Sequence, residues 1–186
     1  MKPDIQLSDG LILLRAPKAS DVPAIQQAIR ESLTELHPWM DWATDDYDEA
    51  STWRWLEAIQ LAWEHASGFH FAITDAHSGE YIGGCSVDGI NEKLRSCNLG
   101  YWVRTSRTGQ GIASQAASLA AKFAFETVGL TRVEIVIAVE NVASQRTAQK
   151  AGAHYEGILL NRMVVRSDVY NAMLFSLNPA DFGLPG

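Results

Sequence analysis

A chain of 186 residues, taken at roughly 150 residues per domain, predicts a single domain over residues 1–186 with a core large enough to fold without cross-links. Its content of 47% hydrophobic and 20% charged residues excludes a disordered, collagen-like or low-complexity chain. Its 15 Lys+Arg against 22 Asp+Glu leave a net charge of −7, the wrong sign for general attraction to nucleic acid or anionic lipid. Cys85 and Cys97 are too few for a disulfide scaffold and lack metal-ligand spacing, which points to a reducing cytoplasm and to two buried free thiols. The start, MKPDIQ, lacks the apolar core of a signal peptide, and no apolar run approaches a membrane span.

In chain order, residues 4–15 hold the turn signal Asp9-Gly10 between short apolar runs and read as an opening hairpin or bent strand. Ser20 and Asp21 are candidate caps of a first helix; Pro23 suits its first turn, Val22, Ile25, Ile29 and Leu33 recur at helical spacing, and His37-Pro38 ends it. The Trp- and Asp-rich segment at 38–48 does not continue that helix. Residues 49–66 are again helical in period, with Trp55, Ile59 and Trp63 on one face. Strands follow at 69–75 and 81–90, joined by a hairpin turn at 77–80, and a third at 96–104. Residues 111–128 form an Ala-rich helix able to lie close to a sheet, 130–139 a strand rich in β-branched residues, and 141–151 a short helix stopped by Gly152. Two strand-like runs occupy 153–178, and the tail NPADFGLPG is expected to fray. The pattern is a mixed α/β chain built around one sheet.

The most informative stretch runs from Tyr101 to Ser114, a strand passing through a polar glycine loop into a helix. Glycines let several backbone N–H groups turn toward one point, and the helix start adds unpaired donors and a partial positive charge, so a diphosphate is held there with few basic residues. Gly109-Gln110-Gly111 matches half of a dinucleotide fingerprint, but Ser114 stands where its third glycine belongs, and no Gly-Lys-Ser/Thr of a Walker loop is present. A merely structural tight turn is the remaining alternative for the glycines taken alone.

The form Arg-x-Gly-x-Gly-Ile-Ala at 107–113, read with its flanks, resembles the acyl-coenzyme-A-binding motif of the GNAT acetyltransferase superfamily, Arg107 lying at its head. Leu99-Gly100-Tyr101-Trp102-Val103 before it, Gln110 to Ala116 within it, Glu140-Asn141-Val142-Ala143-Ser144 after the next strand and Tyr155-Glu156-Gly157 beyond are similar to the RimJ/RimL type, the ribosomal-protein N-terminal acetyltransferases. The resemblance implies a GNAT fold, a single mixed sheet flanked by helices with a splayed acyl-CoA-binding strand pair. It implies acetyl-CoA as acyl donor, no metal, and a protein N-terminal α-amine, possibly ribosomal in origin, as acceptor. A small amine such as an antibiotic or polyamine is the alternative acceptor, and a non-catalytic acyl-CoA sensor the alternative class.

By the same resemblance the pantetheine arm lies along Tyr101, Trp102 and Val103, with Gly100 at the break of the strand. The pyrophosphate rests on backbone N–H groups of Gly109, Gln110, Gly111, Ile112, Ala113 and Ser114, supplemented by Arg107 and Arg104. Asn141 and Ser144 open the next helix beside the sulfur, where Ser144 would orient or protonate the departing thiolate and Asn141 would hold the arm or a water; simple helix capping is the alternative. Relatives acting on ribosomal protein carry a catalytic Glu beyond the Glu-Gly motif, and Met163 stands at that position. The base is therefore open among Asp88, Glu92 and Glu35, with Glu156 structural. Glu35, Trp39, Trp42 and Asp88 are expected at the acceptor site, the alternative being that Trp39 and Trp42 are core or a homodimer contact. The five His form no HExxH, and Gly84-Cys85-Ser86-Val87-Asp88 misses a hydrolase elbow at its last position.

Overall fold

The computed structural model describes residues 5–185; Met1 to Asp4, which include most of the segment read for a signal peptide, and Gly186 lie outside them. Strands β1 (Gln6–Ser8) and β2 (Ile12–Arg15) form the expected hairpin, closed by the Asp9 carboxylate accepting the N–H groups of Leu11 and Ile12. Helix α1 (Val22–Glu31) buries Val22, Ile25, Ala28 and Ile29. Asp21 sits at its N-cap without capping it, because the carboxylate takes a bidentate pair from Arg15 at 2.7 and 2.8 Å.

The first helix does not run on to His37. It breaks at the fully buried Ser32, whose hydroxyl donates to the Ala28 carbonyl at 2.7 Å and accepts the Thr105 N–H at 3.0 Å, and a short α2 (Leu33–Leu36) follows. Helix α3 (Glu49–Glu64) is capped by Asp48, which accepts the Ser51 N–H at 2.7 Å.

Strands β3 (Phe69–Asp75), β4 (Tyr81–Asn91) and β5 (Ser96–Val103) make an antiparallel meander. Helix α4 (Ile112–Phe123), β6 (Arg132–Ala138), α5 (Val142–Lys150) and the hairpin β7 (His154–Val165) with β8 (Asp168–Leu177) complete the chain. All eight strands share one sheet, in the order β1-β2-β3-β4-β5-β6-β8-β7. Helix α4 widens into a π turn over Ala124–Val128 and ends at Gly129, in the left-handed region at φ +82°, whose carbonyl is held by Arg95.

Alternation along β3 sends Phe69, Phe71 and Ile73 into one cluster with α4, and Ala72 into another with α1, so the two helices cover opposite faces. Ala116, Ala117, Ala120, Ala121 and Ala124 are all fully buried, which lets α4 lie close on the strands. Trp63, Phe69, Phe71 and Phe123 meet edge-to-face at centroid distances of 5.1 to 5.4 Å. Cys85 and Cys97 are buried free thiols that burial pushes up to about 12, which makes both inert.

The tail is packed rather than frayed. Asn178 caps a 3-10 turn over Pro179–Phe182, Asp181 pairs with His154 at 2.7 Å, and Phe182 stacks on Phe125 at 5.6 Å.

The unusual joint is β5 with β6. They pair in parallel only at Ser96↔Arg132, Cys97↔Val133 and Asn98↔Glu134; beyond Asn98 the two strands part. Gly100 is not the break itself. It lies inside the splayed part, in register with Ser86 on β4, while the ladder irregularity of that pair falls between Asp88 and Asn91.

Phe123→Ala removes the ring that Phe69 and Phe71 both touch and should cost about 3–5 kcal/mol. Urea unfolding checks this, and an unchanged midpoint would contradict the packing described.

Candidate active site

The glycine loop owes its shape to backbone torsion. Gly109 and Gly111 have φ of +76° and +82°, and a Cβ at either would meet nothing closer than 4 Å, so these glycines serve conformation, not space. Gly111 is the N-cap of α4 and provides no side-chain cap; the Ser114 hydroxyl turns back to the Gly111 carbonyl at 2.7 Å. The first N–H groups of α4 thus have no side-chain cap, the arrangement that elsewhere accepts an anion.

Between the splayed strands a groove of about 410 Å³ runs from Tyr101, Trp102 and Val103 to Gly109, Gly111, Ile112, Ala113 and Ser114. Asn141 and Ser144 form its opposite wall. Gln110 does not line it. Arg107 does, with its guanidinium held by Glu80 and, at 3.2 Å, by Asp75. Arg104 is buried and bound to Glu31 and Glu80, so it is not available to a ligand in the groove. The sequence reading missed two cations that are exposed on this wall, Arg146 and Lys150 of α5. Their i, i+4 spacing on a helix starting at Asn141 was the available signal.

Asn141 caps α5 by accepting the Ser144 N–H at 3.1 Å. The Ser144 hydroxyl donates to the Tyr101 hydroxyl at 3.2 Å, and the Tyr101 hydroxyl donates to the Ser144 carbonyl at 3.0 Å. Burial pushes the Tyr101 phenol up to about 12, so it is a neutral donor at physiological pH.

A second cavity of about 600 Å³ lies on the other side of β5 and shares Met40, Tyr101 and Trp102 with the groove. Of the four acceptor residues expected, it brings together Trp42 and Asp88. Trp39 lines the groove instead, edge-on to Tyr170 at 6.3 Å, and Glu35 lines neither space, accepting the Thr105 hydroxyl at 2.9 Å. Glu92 also lines neither, and Met163 pairs with Tyr170 in the β7–β8 ladder. Glu156 is held at about 2 by its bidentate pair with Arg132, supported by the Ser176 hydroxyl, a structural ion pair.

Asp88 accepts the Ser86 hydroxyl at 2.8 Å and the Asn98 amide at 3.2 Å. His70, which the sequence reading passed over, faces the same cavity, and burial lowers its pKa against the opposing pull of Asp88, leaving it neutral near pH 7. Among the described residues no group of three or more His, Cys, Asp or Glu is placed to hold a metal ion, and no helix is long and apolar enough to cross a membrane.

With this geometry in view, comparison with known proteins is decisive. The acetyltransferase (GNAT) domain family matches residues 12–154. The chain belongs to the GNAT acetyltransferase family. It is 30% identical over 142 residues to "Probable N-acetyltransferase YjcK" of Bacillus subtilis, covering 75% of this chain and 78% of that protein. Against the ribosomal-protein-serine acetyltransferase of Escherichia coli it is 27% identical over 159 residues, 86% and 87% of the two chains. The solved structure of Mycobacterium smegmatis RimJ in complex with CoA-disulfide superposes with a TM-score of 0.86 at 25% identity, covering 99% of this chain and 90% of that one. This acetyltransferase thus has the GNAT fold that the motifs implied.

One cluster anchors the acetyltransferase's glycine loop. Glu31 accepts from the Arg104 guanidinium, from the Ser106 N–H at 3.0 Å and from the Ser106 hydroxyl at 2.6 Å. Arg104, then Ser106, hold its carboxyl at about 2 against an ordinary 4.5. A depressed pKa contributes stability that is complete above the unfolded value and lost as pH falls through the folded one. Glu31→Ala should therefore cost about 2 kcal/mol at pH 7, and its deficit should shrink as pH falls from 4.5 toward 2. Urea unfolding at pH 7 and pH 3 tests this; a deficit independent of pH would contradict the clamp.

Proposed function

We propose that this acetyltransferase moves the acetyl group of acetyl-CoA directly to the N-terminal α-amine of a protein, ribosomal protein being the leading case, as a single cytoplasmic domain. The observation that carries this reading is the meeting, at Tyr101 and Trp102, of a groove ending on an uncapped helix N-terminus with a cavity floored by Asp88. The unpaired edge of β5 from Leu99 to Val103 offers backbone groups to the amides of the pantetheine arm, as a strand would. The pyrophosphate lies on the first N–H groups of α4, and Arg146 and Lys150 add the charge that Arg104 cannot. The relatives named for ribosomal-protein acetylation support the choice of acceptor.

In this mechanism the α-ammonium, whose ordinary pKa is about 7.7–8.0, gives its proton to Asp88 directly or through a water. The neutral nitrogen attacks the thioester carbon while a backbone N–H of the unpaired edge of β5 stabilises the charge developing on the carbonyl oxygen. As the C–S bond breaks, the nitrogen gives up its second proton and the departing sulfur gains one by way of the Ser144 hydroxyl, which is oriented by Tyr101 and regains a proton as it passes one on, so a neutral amide and the CoA thiol result. Asn141 fixes the first turn of α5 so that Ser144 stays in place.

Calorimetry should show saturable acetyl-CoA binding. Gly111→Val, which forces a β-branched residue to φ +82°, should weaken that binding at least about tenfold by removing the donors' convergence; an unchanged affinity would refute the backbone cradle. Ser144→Ala should lower turnover about a hundredfold, measured by thiol release, with acetyl-CoA affinity within about twofold. Equal turnover would remove Ser144 from the mechanism.

A further inference from the structure

The acceptor cavity is far larger and more aromatic than a small N-terminal residue needs. Its volume of about 600 Å³ falls among pockets that enclose whole small-molecule ligands. Trp42 and Trp102 stand 5.7 Å apart between centroids, with Tyr47 5.9 Å from Trp42 and Tyr81 6.1 Å from Trp102. Trp55, edge-on to His70 at 6.3 Å, also lines the space. Tyr81 is buried, but Trp42 is 38% exposed, and indole surface facing water rather than core is unfavourable until something apolar covers it.

The sheet is shaped to hold this wall. A Cβ on Gly84 would lie 2.7 Å from Trp102 Nε1, and one on Gly83 would lie 2.1 Å from the Trp102 carbonyl oxygen. Gly84 therefore lets the Trp102 indole lie across β4, while Gly83 lets the β5 backbone approach closely. Along the same face Ser86 pairs with Gly100, keeping the floor low between Trp102 and the polar end, where Asp88 opposes Asn98. Four residues of β5, about 13 Å, separate Asn98 from Trp102. An ammonium facing Asp88 leaves the cavity toward Trp102 for the side chain of the same residue, which a ring extends into and a Ser or Ala side chain leaves empty. The one guanidinium on the lining, Arg54, bonds the Ser51 hydroxyl at the exposed end, so Asp88 is free to face an ammonium.

We infer that this cavity selects an amine whose own residue carries a large aromatic side chain, Phe, Tyr or Trp, with the ring among Trp42, Trp55 and Trp102 and the ammonium facing Asp88. The inference rests on the α-amine reading above and sharpens it to a class of first residue.

The experiment is steady-state kinetics on peptides identical except for Ser, Ala, Phe or Trp at the first position, with 2-phenylethylamine as a free-amine probe. Phe- and Trp-first peptides should exceed Ser- and Ala-first ones in kcat/KM by at least about tenfold, and Trp42→Ala should shrink that ratio to under about threefold by removing one wall. Equal or faster turnover of Ser- and Ala-first peptides would overturn the inference while leaving the α-amine reading in place. Turnover of 2-phenylethylamine with none of the peptides would overturn the α-amine reading and leave ring selection standing. Calorimetry in the presence of CoA supplies a measurement independent of turnover: 2-phenylethylamine should bind at least about tenfold tighter than n-propylamine, with the advantage lost in Trp42→Ala, and equal affinities would overturn the inference.

Discussion

The parting of β5 from β6 after Asn98 is the constraint on which the rest depends. A sheet strand deprived of its neighbour leaves a row of backbone donors and acceptors that must find other partners. Here the gap is bridged at one point by a side chain, the Tyr101 hydroxyl reaching across to Ser144 at the start of α5. The remaining edge faces an open groove. On its other edge β6 stays registered with β8 through six pairs, so the groove separates β5 from an intact β6–β8–β7 ladder.

The groove and the cavity it meets are fixed by different chemistry. At the glycine loop, Arg104 and Arg107 are the basic residues nearest in sequence, yet their charge is spent on Glu31, Glu80 and Asp75. Those pairs tie the loop after β5 to α1 and to the β3–β4 turn, so the glycine loop is held from two sides. In the proposed function, anion recognition therefore rests on backbone N–H groups and on the α5 cations, an arrangement compatible with a chain whose net charge is −7. In the neighbouring cavity, Asp88 is oriented by Ser86 and Asn98, with Trp42, Trp55 and Trp102 also on the lining.

Much of this was legible in the sequence because it depends on local rules. Strand limits at β3, β4 and β5, the start of α5 at Asn141 and the glycine loop followed from periodicity, capping and turn residues. What escaped depends on residues far apart in the chain. The break at Ser32 exists because its hydroxyl meets Thr105, and Asp21 fails as a cap because Arg15 claims it. The tail is ordered by Phe125 and His154. Trp39, Trp42 and Glu35 lie within eight residues of one another but separate into groove, cavity and neither, since the turn after α2 sends neighbouring side chains to different sides. His70 carries no motif, Arg146 and Lys150 carry only their i, i+4 spacing, and the sheet and helix geometry bring all three to the lining of the two spaces.

The central claim is that the unpaired edge of β5 and the start of α4 together cradle the acyl donor through backbone groups. Amide hydrogen exchange with and without acetyl-CoA tests it most directly. The account predicts added protection at residues 99–103 and 109–114 on binding, with the rest of β4 and β6 little changed. Protection confined to other segments, or none in these two, would contradict it.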